Sequence, residues 1–260
     1  MVKLNEADLL QTPFRLPSYT TPEEARQIFG QDQQRFFSAE SVAQAFNSFR
    51  RRSLGLEDLL PPSQVIPPCH GLIPYTPVTL GRSSRHQNRR WLLFCSYGQS
   101  IAELYRTFGH HDRRDEPGFC PCKSCANFKS WLGHDWVTKK GVPGYYLLDL
   151  EPRYVGFSHS EQDAGIVQNL GGQFERAPIR LVAEAWFAMQ LLTGENPFAS
   201  LHWGDGRYPN GLVAIANGND PATKHKKNSL VVRVYNSDKG FVHLGVYIIQ
   251  KQEIVTISSA

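Results

Sequence analysis

The chain predicts an α+β fold, with N-terminal helices, a central apolar helix packed on a mostly antiparallel sheet, and a Cys-rich loop insertion. Three observations carry this reading. Helix signals open the chain, one long and almost wholly apolar helix occupies 177–193, and β-rich runs separated by turn residues close it. The chain has 260 residues, 41% of them hydrophobic and 12% aromatic. A chain of that size and composition buries a full core without needing staples, so a metal in it would be a local clamp.

In order, Thr20-Thr21-Pro22-Glu23-Glu24 supplies a cap, a first-turn proline and early acids, and Gly30 stops the helix that they start. Ser38 caps a second helix whose Val42, Ala45, Phe46 and Phe49 share a face, and Arg50-Arg51-Arg52 complements its C-terminal dipole. Prolines at 61, 62, 67, 68, 74 and 77 forbid a helix and disfavour a central strand. That stretch is the best candidate boundary, dividing a helical segment at 1–60 from an α+β core at 61–260, although one domain could hold both.

Trp91–Cys95 reads as a buried strand. Ser100-Ile-Ala-Glu103 is a capping box opening a short helix to about Phe108, closed by Gly109. Residues 109–142 are polar and rich in Gly and Cys, a loop long enough to be functional or tied down. Tyr145–Leu150 follows as a strand. Ser160 and Asp163 frame a helix ending at Gly171-Gly172, and Ala177–Thr193 forms the strongest helix, with Pro178 in its first turn and Gly194 past its end. Its one polar stripe runs through Arg180 and Glu184, most simply an ion pair one turn apart; a buried carboxylate that resists ionisation is the other reading. Leu212–Ala216 is a strand, and Leu230–Tyr235 with Phe241–Ile249 around Asn236–Gly240 reads as a hairpin.

Five cysteines are an odd number, and Cys120, Cys122 and Cys125 fall within six positions. Such crowding points to metal rather than to a disulfide framework. The two-residue spacing of Cys122 and Cys125 lets two thiolates grip one zinc ion from a tight turn, and His110 or His111 could complete a closed tetrahedral set with Cys120. Reduced thiols on a loop are the bland alternative, and redox chemistry a further one. His110–Glu116 also offers acids beside imidazoles, either a metal-dependent catalytic cluster or a solvated turn. His202-Trp203-Gly204-Asp205-Gly206 reads as a turn whose tryptophan packs on the core, or else as a His/Asp pair beside an aromatic wall.

Gly144-Tyr-Tyr-Leu-Leu-Asp149, Gln173-Phe-Glu-Arg176, Glu184, Thr193-Gly-Glu195, His202-Trp-Gly204 and Leu244-Gly-Val246 together resemble a family of hypothetical bacterial proteins. The resemblance covers 144–249 and implies no activity, cofactor or site residue.

The charge balance is mild, 28 basic against 24 acidic residues for a net +4. It permits an anionic partner without requiring one. Basic residues gather at Arg85, Arg89 and Arg90, at Lys139 and Lys140, and at Lys224, Lys226 and Lys227, the first two groups near Trp91, Trp131 and Trp136. Aromatics there could stack bases while the cations hold phosphate, which makes nucleic acid the expected partner class, with another protein next; scattered solvation of a mildly basic surface is the bland alternative. No phosphate-binding glycine loop, dinucleotide fingerprint, zincin motif or serine-hydrolase elbow is present. No apolar run nears the roughly 18 residues needed to span a bilayer, and Met1–Asp8 has no leader pattern, so the expected location is cytoplasmic. The functional expectation is a zinc-stabilised binding protein that contacts nucleic acid through basic loops. A metal-dependent hydrolase acting on phosphodiesters or another anionic substrate, and a structural or assembly subunit, are the rivals.

Overall fold

The computed structural model describes residues 36–54, 91–109, 116–120, 131, 133–170, 174–195, 201–208, 211–217, 229–236, 238–240 and 244–250. The expected helix at 20–30 and the proline stretch proposed as a boundary lie outside them. The fold is α+β. Among the described residues the strands form two sheets of five. The first runs β1 (Phe36–Phe37), β2 (Trp91–Ser96), β4 (Gly144–Asp149), β10 (Ile248–Gln250) and β5 (Phe174–Arg176), antiparallel except for β1 against β2. The second runs β3 (Gly118–Phe119), β8 (Ser229–Tyr235), β7 (Gly211–Asn217), β6 (Leu201–Tyr208) and β9 (Leu244–Gly245), with parallel pairs only at its two edges.

Helix α5 (Ile179–Thr193) lies between these sheets, packed on β2 of the first, on β6 and β7 of the second, and on α1 (Ala39–Leu54) and α2 (Ile101–Phe108). Two sheets rather than one explain why it is apolar nearly all round, since no side is left for water. Phe108 stacks on Phe187 with centroids 3.8 Å apart, and Phe46 meets Phe108 edge-on at 5.1 Å, which joins α1, α2 and α5 in one core. The local signals hold at these helices. Ser41 N–H donates to the Ser38 hydroxyl ahead of α1, Ser100 and Glu103 close a reciprocal capping box on α2, and Gly194 ends α5 at φ 69°. No helix among the described residues is long and apolar enough to cross a membrane.

Two expectations are corrected by long-range pairing. The hairpin of Leu230–Tyr235 with Phe241–Ile249 does not form. β8 pairs with β7 over Leu230–Tyr235, and on its other edge β3 takes Ser229 and Leu230. The closing run instead divides, Leu244 and Gly245 joining β6 while Ile248–Gln250 passes into the first sheet. The two residues between carry full backbone partners. Val246 exchanges both hydrogen bonds with Arg153, Tyr247 O accepts from Ala177 N–H at 2.9 Å, and Tyr247 N–H donates to His202 Nδ1 at 3.0 Å. A buried chain can change sheets only where such partners replace the ladder.

The helix expected from Ser160 starts two residues earlier. Ser158 is its cap, in a capping box with Glu161, and α4 covers His159–Gly165 before widening into a π turn at Ile166–Leu170. The Tyr154 hydroxyl donates to Gly165 O at 2.7 Å where the helix widens, drawing that carbonyl out of the ladder.

Candidate functional site

Pro178 has no side-chain acceptor to cap α5, so the cap comes from elsewhere. Asp205 on β6 reaches across, its Oδ1 accepting from Ile179 N–H at 2.9 Å and its Oδ2 lying 3.7 Å from the Arg180 guanidinium. The stretch 202–206 is therefore strand, not turn, and His202 and Asp205 do different work. Asp205 is exposed, whereas His202 is fully buried. His202 Nε2–H donates to Ala177 O at 2.8 Å and Nδ1 accepts from Tyr247 N–H. Both ring nitrogens are used by the backbone, so the imidazole is a structural tie and no base. Burial, with the charge of Arg176 adding to it, pulls its pKa down to about 3. Asp205→Ala is expected to cost about 1 kcal/mol in urea denaturation while Asp205→Asn retains most of the stability, since Asn still offers the acceptor. Equal losses in both would point to the Arg180 pair instead.

Around this helix start lies a cleft of about 460 Å³. One wall is Gly133–Trp136, which opens α3 (Asp135–Thr138), with Lys139 after it; the other is Arg180 and Asp205. Lys139 is exposed and makes no ion pair among the described residues. Lys140 beside it is bound at 2.8 Å to Glu103. Partial burial works against the charge on Glu103, but hydrogen bonds from Lys140 and the Ser100 cap hold its carboxyl below the usual range.

One turn further along α5, the expected Arg180–Glu184 ion pair is absent. Arg180 turns to Asp205, and Glu184 is fully buried. Ser96 Oγ–H donates to Glu184 Oε2 at 2.6 Å and Tyr97 N–H to Oε1 at 2.7 Å. Burial pushes the carboxyl up to about 7 against those two hydrogen bonds and the more distant charge of Arg180. The polar stripe on an apolar helix was the visible signal for Glu184. Its partners Ser96 and Tyr97, 88 and 87 residues away, carried none.

Of the expected zinc ligands, Cys120 alone falls among the described residues. It is buried with Trp203, Ala214, Val231 and Leu244, its N–H bonded to Leu230 O. Phe119 N–H donates to Gly109 O at 2.8 Å. Cys122, Cys125, His110 and His111 lie outside the described residues, and so do Arg85, Arg89, Arg90, Lys224, Lys226 and Lys227. Among the described residues no group of three His, Cys, Asp or Glu side chains could hold a metal ion. Lys139 and Lys140 are the only expected nucleic-acid contacts that can be placed, and of these Lys139 alone faces the cleft.

Comparison with protein-family models, with curated proteins and with solved structures finds no match to this chain.

Proposed function

We propose that this protein binds an anionic partner, nucleic acid being the favoured class, and that Cys120, Cys122 and Cys125 with His110 or His111 hold a zinc ion that shapes the binding loops. The cleft carries this reading. Lys139 stands at its edge with no ion pair among the described residues, Arg180 lines the facing wall, and one of its two carboxylates, Asp205, is already committed to the start of α5. Donors in excess of free acceptors favour a phosphate oxygen over a cation. The zinc part draws on the meeting of Gly109 with Phe119, which brings both ends of the histidine-bearing loop to the residue before Cys120.

The test is fluorescence anisotropy of a labelled single-stranded oligonucleotide, titrated at low and at physiological salt, beside elemental analysis of the same preparation. Binding should weaken as salt rises, and Lys139→Ala should lower affinity and reduce the salt slope by about one phosphate contact. About one zinc per chain should be found, and lost in Cys122→Ser/Cys125→Ser. An oligonucleotide that fails to bind even at low salt removes the nucleic-acid reading. A metal-free wild-type protein removes the zinc.

A further inference from the structure

Glu184 is joined to the cleft by an unbroken run of contacts. Its Oε1 holds Tyr97 N–H at 2.7 Å, and the next residue, Gly98, accepts from Gly141 N–H at 2.8 Å through its carbonyl. The fit there is tight. Gly98 sits at φ +66°, and a Cβ on it would lie 2.6 Å from Gly141 O. Gly141 in turn lies under Arg180, whose Nε would be 2.8 Å from a Cβ at 141. The two residues before Gly141 are Lys140, bound to Glu103, and Lys139, which lines the cleft. Thus the turn at 96–98 seats the segment 139–141, and a buried carboxyl group holds that turn.

We propose that Glu184 is a pH-set latch on this seating: with its carboxyl protonated the segment 139–141 is held closed, and with it ionised the segment opens to let water reach the charge. Both contacts survive protonation. Oε1 still accepts from Tyr97 N–H, and a protonated Oε2 donates to Ser96 Oγ, which also accepts from Gly98 N–H at 3.0 Å. What changes is the burial of a charge that meets no cation among the described residues. The other groups that act on it are Arg180 on its own helix and Glu103 on α2. The charge of Glu184 acts on the phenols of Tyr97, just past β2, and of Tyr146 on β4; Cys95 acts on those two phenols, and Glu40 acts on Tyr97 from α1. On the cleft side stand Asp205 and Lys139.

The sign follows from linkage. The closed form binds its proton up to about pH 7, whereas a solvated carboxyl releases it near the ordinary value of 4.5. Closure is therefore strongest below the lower value and is lost as pH rises between the two, levelling off above. The latch would regulate the proposed anion site, but its test uses no ligand, so each stands or falls without the other.

The experiment is hydrogen-exchange NMR of the Gly141 amide from pH 5 to 8, with the Val246 amide as a core control. In wild type the Gly141 protection factor should fall by up to about tenfold per pH unit below 7 and then level, while Val246 stays constant. Glu184→Gln keeps the shape without the charge, and should hold Gly141 protection high and flat. If that variant does not fold, Ser96→Ala serves in its place, since losing a donor to the carboxylate should move the levelling point to higher pH. Flat protection in wild type, a parallel fall at Val246, or an unchanged profile in the variant would each overturn the latch.

Discussion

Arg176→Ala is expected to lower stability by about 3 kcal/mol or more, because it strips donors from several buried acceptors at once. The guanidinium is largely buried. It donates through Nε and one terminal nitrogen to Asp163 Oδ1 at 3.0 and 2.8 Å, and onward to His159 O at 3.2 Å. Its other terminal nitrogen serves Gln162 Oε1 and Trp203 O, each at 3.1 Å. One side chain on β5 thereby ties the start of α4 to β6. Gln162 extends the tie to Tyr154 O at 3.1 Å and Leu244 O at 3.4 Å.

The energy resides in the carbonyls more than in the ion pair. Asp163 is 51% exposed, so Asp163→Asn should cost under about 1 kcal/mol. Arg176→Lys should not restore wild-type stability, since an ammonium cannot reproduce the planar fork. Urea denaturation of the three variants decides the matter. Arg176→Ala within about 1 kcal/mol of wild type, the size of a surface effect, would mean that water replaces the guanidinium without penalty.

Acid should weaken this protein through His202 well before that imidazole is protonated in the fold. In the folded chain it stays neutral to about pH 3, against an ordinary value of 6.5. Between those limits the unfolded chain takes up a proton that the folded chain refuses. Stability from this group is full above 6.5 and falls by about 1.4 kcal/mol per pH unit below it. Glu184 slopes the other way between 4.5 and about 7, so in wild type the two partly cancel. Urea denaturation at pH 7 and pH 5 should show a steeper acid loss in Glu184→Gln than in wild type. Ring nitrogen shifts should report a neutral His202 carrying its proton on Nε2 at pH 5. An imidazolium signal there would sink the argument.

Much of the local structure was legible in the chain. Ser38, the Ser100–Glu103 box and Gly194 mark helix ends because a cap acts within one turn of the residue that makes it, whereas Pro178 marks the start of α5 by its fixed φ and the cap there comes from Asp205. The strands at Trp91–Ser96, Gly144–Asp149, Gly211–Asn217 and Ser229–Tyr235 were visible for the same reason, as apolar runs bounded by turn residues.

Partnership was not legible. A strand has two edges, and nothing in Leu230–Tyr235 states that β7 runs along one of them and that β3 meets the other at its start. The hairpin signal was local, and the competing pairs came from over a hundred residues upstream and from the strand before it. Polar residues on buried surfaces behaved alike. Arg180 is one turn from Glu184, yet Asp205 drew the guanidinium outward, and Ser96 and Tyr97 took the carboxylate inward. The chain by itself determined the α+β class, the ends of its main helices and an apolar central helix, all consequences of short-range caps and side-chain periodicity. Only the tertiary structure decided the two sheets, the division of the C-terminal run and the cleft at the start of α5, because a buried donor or acceptor pairs with whatever the fold brings within 3 Å, a hydrogen-bond length of about that size being blind to distance along the chain.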